Sequence, residues 1–315
     1  MIRLIGTLIL FSSIASISGC IEYPHYSDAL HDKHETQLSF DLESGPSPRV
    51  LTRTLALMEE DYLIETVQFE SFSLRFWRPK DSRFRPAILL LPGIWGDRII
   101  AQFAQDLVSK GFACAQLYSH RYLDRLRGAS KINLDALAAM IRHQVIETGQ
   151  VYRWLSTQPE IDSDRVGILG VSIGAIIATL FSESEGKIQA AGYLLGGGNL
   201  PDIMTAPKGY VKKRLRDRII TENGFSEDEF KEAAIRSLRS VDPLTYAGNL
   251  DPKRILMVNG RFDRVIPYIN AKQLWKALGE PNWLVLPAGH YTASLFMPYV
   301  RQRVARHFIE RLAAS

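Results

Sequence analysis

The chain places one serine where a nucleophile would sit. Ser172 is at the centre of Gly170-Val171-Ser172-Ile173-Gly174, a G-x-S-x-G pattern. The apolar run Arg165-Val166-Gly167-Ile168-Leu169 precedes it and reads as a buried strand, and Ala175-Ile176-Ile177-Ala178-Thr179-Leu180-Phe181 follows it and reads as a buried helix. A strand that turns straight into a helix leaves the residue between them strained and its side chain exposed. Glycine two positions away on each side removes the side chains that would clash there. The helix start also supplies unpaired backbone N–H groups and a positive dipole end, which suit a developing oxyanion. The N–H of Ile173, directly after the serine, is the expected first donor. The chemistry this predicts is nucleophilic attack on an acyl carbon.

Such a serine needs a base, and the base needs an acid to fix its tautomer. In an open parallel sheet, reactive residues gather at the carboxyl ends of strands. The strand reading Arg254-Ile255-Leu256-Met257-Val258-Asn259-Gly260 is followed by Arg261-Phe262-Asp263, and the last strand, Trp283-Leu284-Val285-Leu286-Pro287, by Ala288-Gly289-His290. Asp263 and His290 are therefore the candidate acid and base. His120 follows another strand, where it would line the pocket or, as the preferred reading, lie on the surface, while His143 and His307 lie within helical patterns.

The remaining elements must hold these three ends together. Residues 63–70 and 72–78 read as strands, and Pro86-Ala87-Ile88-Leu89-Leu90-Leu91 as a central strand that ends at Pro92-Gly93-Ile94-Trp95-Gly96-Asp97. A helix with Ile99, Ile100, Phe103, Leu107 and Val108 on one face stops at Gly111. The strand around Cys114 follows, then a helix over 134–155. After the Ser172 helix come a strand over 188–195, helices over 269–278 and 299–312, and the two strands already named. Strand and helix alternate, which predicts an α/β fold with a mostly parallel central sheet and helices on both faces. Residues 201–245 break the rhythm with charged helical segments, Ser226-x-x-Glu229 having the form of a capping box. They read as a small helical cap insert, either over the site or as a surface excursion away from it.

From about residue 85 to 312 the chain resembles the α/β-hydrolases, in particular their dienelactone hydrolase and prolyl-oligopeptidase-like branches. The resemblance rests on Asp162-Ser163-Asp164-Arg165-Val166-Gly167-Ile168-Leu169-Gly170-Val171-Ser172-Ile173-Gly174, and on Asp242-Pro243-Leu244 followed by Asn259-Gly260-Arg261-Phe262-Asp263-Arg264-Val265-Ile266-Pro267. It implies an α/β-hydrolase fold with Ser172 as nucleophile, His290 as general base and Asp263 as orienting acid. Asp202 is the rival acid, because some relatives carry it after the preceding strand. Gly93-Ile94-Trp95-Gly96 stands where relatives have a His-Gly motif, so the resemblance gives the second oxyanion donor as the N–H of Ile94 or, one position on, of Trp95. Trp95 is also a candidate pocket residue. Serine rather than cysteine at the nucleophile implies ester, thioester or amide cleavage through an acyl-enzyme, with no cofactor and no metal. A peptidase or lipid deacylase would use the same triad. A non-catalytic binding protein on the same fold is the competing class.

The N-terminus reads as an address. Met1-Ile2-Arg3 is positive, residues 4–17 are apolar with small residues interspersed, and Ile17-Ser18-Gly19-Cys20 resembles the lipobox of bacterial lipoprotein signals. The resemblance implies a signal peptide over 1–19, lipid attachment at Cys20, and membrane anchoring without a spanning helix. Ile21 rather than aspartate implies the outer membrane of the bacterial cell envelope, facing the periplasm. Residues 20–50 read as a tether, and 51–315 as the hydrolase domain. Cys114 is then the lone remaining cysteine, in an apolar strand, and reads as a core residue.

Composition excludes some classes. The chain has 315 residues, 46% hydrophobic and 23% charged, enough for a sizeable core. A net charge of +4 without zinc spacing, an RNA-binding aromatic motif or a long basic stripe gives no nucleic-acid partner. The partners expected are a small-molecule acyl substrate and, through Cys20, a membrane.

Overall fold

Nine strands form one sheet in the order β1-β2-β3-β5-β4-β6-β7-β8-β9. The computed structural model describes residue 40 and residues 48–81, 83–94, 96–122, 124, 133–206 and 210–312, which lie in one compact unit spanning 38–315. The signal segment, Cys20 and most of the tether lie outside the described residues.

β1 (Val50–Met58), β2 (Tyr62–Phe69) and β3 (Ser73–Pro79) form an antiparallel edge, with β3 antiparallel to β5 (Ala113–Gln116). β4 (Arg85–Leu91), β5, β6 (Ile161–Val171), β7 (Ala190–Leu194), β8 (Ile255–Gly260) and β9 (Asn282–Leu286) are parallel. The mostly parallel sheet agrees with the expectation. β1 is an addition to it: its side chains are exposed apart from the half-buried Val50, so the strand lacks the apolar alternation that betrays a covered one. Phe40, which the sequence places in the tether, is buried against Tyr246 with ring centroids 5.1 Å apart.

The central strands are apolar on both faces because helices cover both. Ile88, Leu90 and Leu169 point into a core with α1 (Asp97–Val108) and α9 (Met297–Leu312), which contribute Ile100, Phe103, Leu107, Val304 and Phe308. Leu89, Leu91 and Ile168 point the other way. They meet Val145, Val151 and Leu155 of α2 (Leu134–Ser156) and Ile177 and Leu180 of α3 (Ile173–Glu185). α8 (Tyr268–Ala277) packs Leu274 into the same core. Cys114 is fully buried, which pushes its thiol far above the ordinary range and leaves it a packing residue.

The insert comprises α4 (Leu200–Thr205), α5 (Tyr210–Asn223), α6 (Glu227–Leu238) and α7 (Pro243–Tyr246). The expected capping box at Ser226 and Glu229 is present in both its hydrogen bonds. Phe230, Ala234 and Leu238 join the core, and Ser237 Oγ donates to Asp135 at the start of α2 (2.6 Å). Asp242 is buried where the insert rejoins the sheet. Its carboxylate accepts the N–H groups of Asn199 (2.9 Å), Leu200 (2.7 Å) and Leu244 (3.0 Å), closing the chain from β7 onto α7.

Two buried groups oppose each other in pH dependence. Burial holds His307 of α9 down to about 4, with Nε2 3.2 Å from the Arg254 carbonyl. A folded value below the unfolded ~6.5 means stability fully present above pH ~6.5 and lost as pH falls toward the folded value. Burial pushes Asp242 up to about 6 despite its three donors. Its contribution runs the other way, gained as pH falls through that value. The two offset each other in the wild type, so the difference between proteins is the quantity to measure. Between pH 7 and 5, the stability of His307→Leu relative to wild type shifts by about 2 kcal/mol in the variant's favour in urea unfolding. A pH-independent difference would refute this account of His307.

Candidate active site

Ser172 sits between β6 and α3 at φ 58°, ψ −120°, a backbone conformation that side-chain-bearing residues rarely adopt. Three things hold it there. Its N–H donates to the Leu194 carbonyl at the end of β7 (2.8 Å), and its carbonyl accepts from Ala175 (2.9 Å) and Ile176 (3.2 Å) in the first turn of α3. The flanking glycines let the backbones touch: a Cβ on Gly170 would lie 2.2 Å from the Gly174 carbonyl oxygen, and one on Gly174 would lie 2.3 Å from that of Leu91. The turn thus displays the Ser172 hydroxyl at the carboxyl end of the sheet.

There it meets His290, whose Nε2 is 3.0 Å from Ser172 Oγ. His290 Nδ1 is 2.7 Å from Asp263 Oδ2. The carboxylate can only accept, so the Nδ1–H donates to it, and Nε2 is left with a lone pair toward the serine. The Asp263 side chain is 1% exposed and that of His290 9%. Asp263 Oδ1 accepts the N–H groups of Val265 (2.8 Å) and Ile266 (2.9 Å), which fixes the carboxylate by its own loop. The two loops are joined: Arg261 N–H donates to Leu286 O (2.8 Å), Phe262 N–H to Ala288 O (2.9 Å), and a Cβ on Gly260 would lie 2.4 Å from Ala288 O. The acid loop is further held by Arg261 lying 4.2 Å over the Tyr268 ring, which stacks on Trp283.

The structure separates the two candidate acids. Asp202 lies in the first turn of α4, and its Oδ2 accepts from the side-chain amide of the buried Asn270 (2.8 Å). It is thereby tied to α8 rather than to His290. His120 is exposed beside Tyr118, and His143 and His307 lie on α2 and α9.

Ile173 is the first residue of α3, where backbone N–H groups have no partner within the helix. Ile94 lies on the loop beside the serine: a Cβ on Gly93 would lie 3.3 Å from Ser172 Cβ. The Gly96 N–H donates to the Gly93 carbonyl (2.9 Å), closing a turn that leaves the Ile94 N–H out of its own hydrogen bond. Trp95 lies outside the described residues. Among those described, no cluster of three or more His, Cys, Asp or Glu side chains has metal-binding geometry.

Sheet order, elbow and carboxyl-end loops together decide the architecture. The chain has the α/β-hydrolase fold. Residues 72–213 match the model of the Dienelactone hydrolase family. Acetyl xylan esterase 1 from Thermoanaerobacterium sp. JW/SL YS485 superposes with a TM-score of 0.65 at 18% identity, covering 83% of this chain and 89% of that one. Acetyl xylan esterase from Paenibacillus sp. R4 gives 0.70 at 15% identity, covering 86% and 91%. Est1E from Butyrivibrio proteoclasticus gives 0.54 at 14% identity, covering 80% and 99%. No curated protein matches the chain in sequence.

Proposed function

We propose that this chain is a serine hydrolase that cleaves carboxylic esters through an acyl-enzyme. The observation that carries the reading is the relay from Ser172 Oγ to His290 Nε2 (3.0 Å) and from His290 Nδ1 to Asp263 (2.7 Å). His290 takes the hydroxyl proton as Ser172 attacks the carbonyl carbon, and the buried Asp263 carboxylate stabilises the imidazolium. The N–H groups of Ile173 and Ile94 receive the oxyanion. His290 then returns its proton to the leaving alkoxide, and a water activated by the same histidine releases the acid. Esters are favoured over amides because the fold neighbours named above include acetyl xylan esterases.

The test is p-nitrophenyl esters of increasing acyl length, with a fluorophosphonate probe as a second readout. Turnover with labelling supports the reading and sizes the pocket. Absence of both would overturn the hydrolase reading in favour of the binding-protein alternative. Labelling without ester turnover would move the substrate to a thioester or amide.

The choice of acid has its own test. Asp263→Asn presents an amide to the Nδ1–H and favours the wrong tautomer, so kcat falls by about 10³- to 10⁴-fold. Asp202→Asn can still accept from Asn270 and stays within about threefold. Equal losses in the two variants would refute the assignment.

The protein is further proposed to be held on a bacterial membrane, facing the periplasm, through lipid on Cys20, as the Ile17-Ser18-Gly19-Cys20 pattern supports. Metabolic palmitate labelling of the full chain should vanish in Cys20→Ser. Labelling that persists would refute attachment there.

A further inference from the structure

Pro92 carries its carbonyl into a tightly bounded place. On one side lies Gly174 of α3, where a Cβ would come within 2.5 Å of the Pro92 oxygen. On the other, the Tyr122 hydroxyl donates to that oxygen (3.1 Å). Tyr122 is 1% exposed. It belongs to the segment after β5, and the end of β5 with this segment holds the 92–97 loop at two further points. The Asp97 carboxylate accepts both the Ser119 N–H and the Ser119 hydroxyl (2.8 Å each). The Gln116 side-chain amide reaches the Asp97 carbonyl (3.4 Å) and is itself held by Trp77 Nε1–H (3.0 Å).

The consequence follows from peptide planarity. The carbonyl of Pro92 and the N–H of Gly93 share one trans peptide and point in opposite directions. Fixing the carbonyl against Tyr122 therefore fixes the plane of the next N–H and the start of the turn that carries Ile94. Oxyanion donors act only when they are aimed before the charge develops. We propose that Tyr122 is a positioning residue, whose hydroxyl, aided by the Asp97–Ser119 contact, orients the Gly93-Ile94 backbone toward the oxyanion formed at Ser172. This rests on the serine hydrolase reading. Tyr122 touches neither substrate nor triad. Complete burial pushes its phenol far above the ordinary range, with Glu147 and Asp97 adding to the effect, so it remains a donor across the working pH.

Tyr122→Phe in the full chain tests this against Tyr193→Phe. Tyr193 is an equally buried tyrosine, and its hydroxyl meets Ser182 of α3 rather than the oxyanion loop. Readouts are kcat and KM on a short p-nitrophenyl ester, the affinity of an alkyl boronic acid that forms a tetrahedral anionic adduct on serine, and the thermal midpoint. The expected result for Tyr122→Phe is a kcat at least tenfold lower, KM within twofold, and boronate affinity reduced by the same factor as kcat. Tyr193→Phe keeps kcat within twofold even where its thermal midpoint falls as far. A Tyr122→Phe enzyme with wild-type kcat overturns the proposal. So does an equal loss in both variants, which would mark a general stability effect. A wild-type protein that neither turns over esters nor takes a fluorophosphonate overturns the hydrolase reading itself. That failure is separate from the others, which are ratios to an active wild type.

Discussion

Ser172→Ala lowers ester turnover by about 10⁴- to 10⁶-fold and leaves the protein folded. The size follows from the division of labour in the site. On the proposed mechanism every later step of His290 and Asp263 follows the attack by the Ser172 hydroxyl, so without it no acyl-enzyme forms and all three are silenced. What survives is binding and the N–H groups of Ile173 and Ile94 proposed as oxyanion donors. Folding is spared because alanine meets the same backbone conformation as serine at φ 58°, and the backbone bonds to Leu194, Ala175 and Ile176 do not involve the side chain. The lost hydroxyl contact with His290 is worth about 1 kcal/mol or less of stability. Steady-state kinetics with burst titration reads the first effect and urea unfolding the second. A variant keeping a tenth of wild-type turnover would eliminate Ser172 as the nucleophile. Loss of fluorophosphonate labelling in the same variant identifies the labelled residue.

Gly174→Ala is expected to cost at least about 4 kcal/mol, or folding altogether. The added methyl would sit 2.3 Å from the Leu91 oxygen and 2.5 Å from the Pro92 oxygen, backbone atoms of the central strand and of the loop that follows it. A flexible side chain could swing away, but these carbonyls cannot move without displacing β4 from α3. Gly186 provides the contrast. It caps α3 at φ 67°, and a methyl added there would meet nothing within 4 Å. Gly186→Ala therefore costs only the left-handed backbone penalty, about 1 to 2 kcal/mol. Urea midpoints of the two variants give the comparison. A Gly174→Ala protein as stable as Gly186→Ala would show that the elbow can open. Turnover should fall with it, since the same movement carries Gly93 and Ile94 away from Ser172.

Local pattern was enough for the elements that bury apolar faces. The run 86–91 and the stretch before Ser172 are apolar on consecutive positions because both faces of the parallel sheet are covered by helices. The elbow was legible because its glycines answer a steric demand between residues four apart. β1 was not legible, since an exposed edge strand carries no burial pattern and is defined by its pairing with β2. Phe40 was lost for a similar reason: a single aromatic in a polar stretch shows nothing of the Tyr246 ring it packs on, 206 positions further along.

The sequence by itself determined the α/β alternation, the strained serine and the short set of residues able to serve it. It favoured Asp263 as the acid but kept Asp202 as a rival, because each is an aspartate following a strand. Only the tertiary structure shows which of the two lies against His290. Pairing of β8 with β9 brings the acid loop against the histidine loop through the Arg261–Leu286 and Phe262–Ala288 bonds, while Asn270 draws Asp202 toward α8. The Tyr122 contact with Pro92 belongs to the same class of fact. A hydrogen bond between residues 30 apart depends on strand order, and strand order is fixed by the whole core rather than by either residue.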